Sequence, residues 1–171
     1  MTLPSPHQVV MALYINARGL AFIVFEGAHK PIGWSVVEAR WSDNRRRKIL
    51  ARVNSLFAQY KPNVVVLQNM SHTGTHRPHS IRRINEAIVE TAKGYTLPVI
   101  FFSRTEVRRT FAYLGSVTKD TIAAAIAKRI PAIEYFLPRP RKPWESEDAR
   151  MGIFDAAALA LTFFNASGTA C

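Results

Sequence analysis

The 171-residue chain carries 23 Lys plus Arg against 12 Asp plus Glu, a formal charge of +11. That length suits one domain spanning 1–171 with its own core, and that charge points to polyanionic partners, because neutralised phosphates release condensed counterions. A single cysteine, Cys171, excludes an internal disulfide and fits a reducing compartment; Asp155 and Thr162 interrupt the longest apolar run, which argues against a membrane span.

Val9 to Ile15 reads as a buried central strand. Asn16-Ala-Arg-Gly19 is a tight turn, since Asn and Gly tolerate positive φ. Leu20 to Glu26 and Ile32 to Val37 follow as antiparallel strands. Ser42 or Asp43 caps a helix to Tyr60, with Ile49, Leu50, Val53, Leu56 and Phe57 at helical spacing. Lys61-Pro62 breaks it. The unbroken apolar run Val64 to Leu67 fits a parallel strand covered on both faces.

A polar loop then leads to a helix from Ser80 to Lys93, ended by Gly94, and to a fifth strand from Leu97 to Phe102. Ser103-Arg-Thr-Glu106 is a capping box opening a helix to Leu114. Thr118 caps an Ala-rich helix through Ile130. Pro138 to Pro143 is a basic loop, and Ser146, with Glu147 and Asp148 favourable to the dipole, is expected to cap a last helix to Asn165. The order β-β-β-α-β-α-β-α-α-α predicts an α/β fold: a mixed five-stranded sheet with helices on both faces. The start, Met1-Thr-Leu-Pro, lacks the apolar core of a secretory signal. A cytoplasmic protein is expected.

This order, with the stretches Ala12-Leu-Tyr-Ile-Asn-Ala-Arg-Gly19, Pro62-Asn-Val-Val-Val-Leu-Gln68, Phe102-Ser-Arg-Thr-Glu-Val-Arg-Arg109, Thr118-Lys119 and Asp155-Ala-Ala-Ala-Leu-Ala160, resembles the RNase H superfamily and specifically the RuvC-like Holliday-junction resolvases. The resemblance covers about residues 9 to 164. It implies an RNase H-like fold, a C2 homodimer, a role in DNA recombination and a nuclease centre of four carboxylates. Those carboxylates hold two Mg²⁺ (or Mn²⁺) that activate water and stabilise the leaving oxygen. The family's first-strand acid matches Tyr14, its fourth-strand acid Gln68, and its two helix acids Gly152 and Asp155. Only Asp155 is retained.

A phenol and a neutral amide do not replace two carboxylates around a hard cation. Asp155 is therefore the sole matched metal ligand, and no cofactor is certain. Asp148, seven residues earlier, is expected on the same helix face but two turns away, too far to share an ion. Asp120 reads as a first-turn acid favoured by the helix dipole. His72, His76 and His79 lie in a Cys-free loop and read as phosphate contacts rather than Zn²⁺ or Ni²⁺ ligands. Restoring acids by Tyr14→Asp, Gln68→Glu and Gly152→Asp is the expected route to cleavage.

Four basic groups stand out: Arg45 to Lys48, read as a solvated face; Arg77, Arg82 and Arg83; Arg104, Arg108 and Arg109; and Arg139, Arg141 and Lys142. Lys119 is expected to contact a phosphate at the cleft. Trp144 reads as packing that closes a helix N-terminus, with stacking on an exposed base as its alternative. The leading expectation is a protein that binds branched or distorted DNA with a degenerate centre. An active metal-dependent endonuclease and a protein-interaction pseudoenzyme are its alternatives.

Overall fold

The computed structural model describes residues 7–40, 42–71 and 78–168. Five strands form one mixed sheet: β1 (Val9–Asn16), β2 (Gly19–Glu26), β3 (Pro31–Glu38), β4 (Val64–Gln68) and β5 (Val99–Phe102), in the order β3-β2-β1-β4-β5. β1, β2 and β3 form an antiparallel meander, whereas β1–β4 and β4–β5 are parallel. The β1–β2 turn forms as expected. Asn16 Oδ1 accepts from the backbone N–H of Arg18 and Gly19 at 2.8 and 3.2 Å, and Gly19 has φ of +146°.

Side chains alternate across a strand, so each face of β1 serves a different layer. Met11, Leu13 and Ile15 pack with α1 (Arg45–Tyr60) and α2 (His79–Gly94) on one face. Val10, Ala12 and Tyr14 pack on the other, under α4 (Lys119–Arg129) and α6 (Met151–Ala166). Val64 and Val66 of β4 share that second face; the same period places Gln68 there. Helix α6 is buried almost all round, which its lack of a polar stripe requires.

The Ser103 capping box opens α3 (Arg104–Thr110), with Glu106 N–H donating to Ser103 Oγ at 3.2 Å and Ser103 N–H to the Glu106 carboxylate at 2.7 Å. Thr118 caps α4, accepting from Thr121 N–H. A 3₁₀ turn, Ala112–Leu114, finishes what was expected as the end of α3, and a short α5 (Pro131–Glu134) was not expected.

Four expectations are corrected. Ser42 and Asp43 give α1 no side-chain cap; Asn44 stands at its N-cap position. Arg45 is no solvated charge: it is buried and its guanidinium donates to the Asn16 carbonyl. Helix α6 begins at Met151, with Arg150 at its N-cap, so Ser146 caps nothing and Asp148 precedes the helix. Tyr135 and Phe101, which their spacing in the sequence would put mostly with the core aromatics, are 88% and 42% exposed. Among the described residues no helix is long and apolar enough to cross a membrane.

Gly152 is where α6 crosses β2. A Cβ there would meet the Ala21 Cβ at 2.7 Å, an atom fixed to backbone that no rotamer change can move. Gly152→Ala should therefore destabilise the fold by about 1–3 kcal/mol through overpacking, and Ala21→Gly in the same chain should recover part of it. Urea denaturation of the two variants checks this; an unchanged midpoint for Gly152→Ala would show that the crossing has slack.

Candidate functional site

Three elements converge where β1 and β4 end. Tyr14 lies near the end of β1 and is 5% exposed. In the parallel register Leu13 pairs with Leu67, so Gln68, the last residue of β4 and itself buried, stands beside Tyr14. Asp155, in the second turn of α6, is the acid of an otherwise apolar helix.

The centre of the cluster is Lys119, the first residue of α4. Its ammonium donates to Glu147 Oε1 at 2.6 Å and to Asp155 Oδ2 at 3.0 Å. It also lies 5.5 Å from the centroid of the Tyr14 ring, within cation–π range. Burial alone would lower the Lys119 pKa, but attraction to Asp155, Tyr14 and Glu147 outweighs it and raises the pKa above the usual lysine range. The ammonium is therefore charged at every physiological pH.

The resemblance points to Tyr14, Gln68 and Asp155, and the structure brings them to one place. Gly152 lies one helical turn before Asp155, too close to Ala21 for any side chain without a shift. Lys119 arrives as an internal ion-pair partner rather than a cation presented to solvent. Glu147 was valued only as a favourable charge at a helix start. It lies in the loop before α6 and reaches across to Lys119, and no local pattern marks a pair 28 residues apart. Asp148 is clamped by Arg150, whose Nη2 donates to Oδ2 at 2.6 Å; that hydrogen bond chiefly holds the Asp148 pKa below the usual carboxylate range.

The donor set does not suit two divalent cations. Tyr14 offers a phenol, Gln68 an amide and Gly152 nothing, while both carboxylates already face an ammonium. Among the described residues no group of three His, Cys, Asp or Glu could hold a metal ion. Paired Mg²⁺ ions prefer several anionic oxygens, and a fixed ammonium repels them.

Several exposed basic residues lie at the same end of the molecule. Because β1, β3, β4 and β5 run in one direction, their C-terminal ends form one rim, the place where open α/β sheets bind ligands. Arg104 follows β5 directly. Exposed Arg82 of α2 lines a cleft of about 310 Å³ with Asn69, Met70 and Phe101, with Arg83 next to it. Arg45 and Lys48 bond to the carbonyls of Asn16 and Glu38, bringing exposed Arg46 and Arg47 to this rim as well. Arg139, Arg141 and Lys142 join it through Ser146, whose Oγ accepts from Arg18 Nη2 at 2.8 Å, and through Glu147. Arg77, His72 and His76 lie outside the described residues; His79 opens α2.

No family model matches this chain, and no curated protein matches it in sequence. Solved structures do. Thermus thermophilus RuvC superposes with a TM-score of 0.68 at 20% identity, covering 95% of this chain and 98% of that one. The same protein in complex with a Holliday-junction substrate gives 0.66 at 21%, over the same shares. Fowlpox virus resolvase, bound to substrate Holliday-junction DNA, gives 0.55 at 17% over 92% and 99%. The chain thus has the RuvC-like, RNase H-type resolvase fold.

Lys119→Met should remove the ammonium that both Asp155 and Glu147 accept from. The variant should lose about 1–3 kcal/mol of stability at neutral pH, between the values for exposed and buried pairs. A raised folded pKa contributes stability that is complete below the unfolded value of about 10.4 and is lost as pH climbs through the folded value. The wild-type advantage should therefore persist to about pH 10 and shrink above it, as urea titrations at several pH values would report. With that charge gone, the site should also take up one Mn²⁺, seen by electron paramagnetic resonance, because one or two carboxylates plus water suffice for such an ion. No uptake would mean that Lys119 is not what excludes the metal.

Proposed function

We propose that the protein binds branched or distorted DNA through the basic rim of a RuvC-like domain, with a nuclease centre that has degenerated into a fixed ion-pair site. One observation carries this reading: the Lys119 ammonium, 2.6 Å from Glu147 and 3.0 Å from Asp155, takes the attraction that divalent cations would otherwise receive. Two supports come from elsewhere. In a chain of net charge +11, exposed members of four basic groups (Arg46 and Arg47, Arg82 and Arg83, Arg104, and Arg139, Arg141 and Lys142) reach one end of the sheet. Two of the similar structures also hold Holliday-junction DNA. By the same likeness, the protein would act as a C2 homodimer presenting two such rims to one junction, in the cytosol.

Binding to a labelled four-way junction and to a duplex of equal length, followed by fluorescence anisotropy, tests it. Affinity for the junction should exceed that for the duplex and fall steeply with salt. Each neutralised phosphate adds about 0.9 to the slope of log K against log salt, so about five contacts would weaken binding on the order of 500-fold between 50 and 200 mM. Arg104→Ala should lower that slope by about 0.9. No junction cleavage should occur with Mg²⁺ or Mn²⁺. Cleavage lost in Asp155→Asn would instead establish a working endonuclease, and equal, negligible affinity for junction and duplex would end the DNA reading.

A further inference from the structure

The segment between α5 and α6 was expected to pack Trp144 against a helix end. It does the reverse. Lys142, Pro143, Trp144 and Glu145 form a β-turn closed by the Glu145 N–H donating to the Lys142 carbonyl at 3.0 Å. Proline stands at the second position, where its fixed φ favours such a turn. Trp144, at the third, is 77% exposed. An indole offered to water in this way forgoes the burial that usually accounts for tryptophan.

The turn is held rather than loose. Glu145 Oε1 accepts from Arg139 Nη2 at 3.3 Å and its Oε2 from the Lys142 N–H at 3.1 Å, while its carbonyl accepts from Arg141 Nη1 at 3.1 Å. The Lys142 ammonium lies 5.4 Å from the Trp144 ring centroid. Just beyond, Ser146 accepts from Arg18 and Glu147 bonds Lys119, fixing the stem of the turn to the rim of the sheet. One cation, Lys142, thus lies against a presented aromatic surface, and two more, Arg139 and Arg141, are bonded to the neighbouring residue of the same turn.

We infer that Trp144 is a stacking platform for an unpaired nucleobase, with Arg139, Arg141 and Lys142 engaging the phosphates on either side of it. This rests on the DNA-binding reading above and deepens it. A base inside a duplex already has both faces covered by its neighbours, whereas one at a branch point or in a single strand has a face free. The platform therefore discriminates structure rather than sequence, because every base has a π-face. It gives the rim a means of distinguishing a branch from an intact helix that phosphate contacts alone do not supply.

Trp144→Ala and Trp144→Phe, in the full chain, are compared by anisotropy on three labelled probes: a dT oligomer, a four-way junction with an unpaired thymine at its centre, and a perfect duplex. Trp144→Ala should weaken dT and junction binding about 5- to 150-fold, the range for loss of one base stack, and leave duplex affinity within twofold. The salt slope should not move, since tryptophan carries no charge. Trp144→Phe should keep most of the affinity. Thermal unfolding of both variants should match the wild type, because the side chain is exposed. Unchanged dT and junction affinity in Trp144→Ala would overturn the platform and leave the indole to a protein partner. Equal weakening on all three probes would also overturn it. A wild-type chain that binds none of the probes would instead sink the DNA reading itself.

Discussion

An acid set into an apolar helix must have a partner, since leaving a carboxylate unpaired away from water costs several kcal/mol. In this molecule Asp155 accepts from the ammonium of Lys119, and much else is arranged around that contact. Lys119 stands at the capped start of α4, Asp155 in α6, Glu147 in the loop ahead of α6, and the Tyr14 ring at the end of β1. One ammonium with three donors links three parts of the chain that are distant in sequence. It also sets the sign of the site. Two carboxylates and one ammonium leave a single net negative charge, against the four that a pair of divalent ions would face with a full set of acids.

The sheet explains why these groups meet. Period-two alternation puts Tyr14 and Gln68 on the face covered by α6, and the parallel pairing of β1 with β4 sets them side by side. The same strand directions send α1, α2 and α3 away from one rim, so the N-terminal turns of three helices, with their arginines, lie around it. Helix N-termini attract anions through unpaired N–H groups and the aligned peptide dipoles. The rim is thus positive in backbone and side chain alike, with a small, partly neutralised acidic pair inside it.

Much of this was legible in the sequence because it is local or periodic. The unbroken run Val64 to Leu67 marked a two-sided strand, and Ser103 and Thr118 marked helix starts that the structure keeps. Positions 14, 68 and 155 were placed together through the resemblance to RuvC-like resolvases, since strand and helix period fixes a face but not which chain-distant residues meet. What was not legible depends on contacts between distant residues. Ser146 resembles a helix cap, yet Arg18 takes its hydroxyl, and Asp148 is held by Arg150 in a turn that delays the helix to Met151. Arg45 looks like one more surface charge until the Asn16 carbonyl is seen to accept from it. Glu147 carries no signature, because the demand for a second counter-charge arises only once Lys119 is partly buried.

On the proposed reading of a lost four-acid centre, the departures from it are coupled, which makes them hard to undo one at a time. Glycine at 152 lets α6 approach β2 until the Ala21 methyl occupies the space where a side chain would start. An acid restored there must first push the helix off the sheet, which would move Asp155 as well. Acids restored at 14 and 68 would enter a face where an ammonium already sits, and they would bind it before they bound a metal, since it is tethered and needs no dehydration from bulk. Replacing the three missing acids is therefore insufficient on physical grounds. Lys119 would have to lose its charge and Ala21 its methyl in the same chain before the geometry of a two-ion site could reappear.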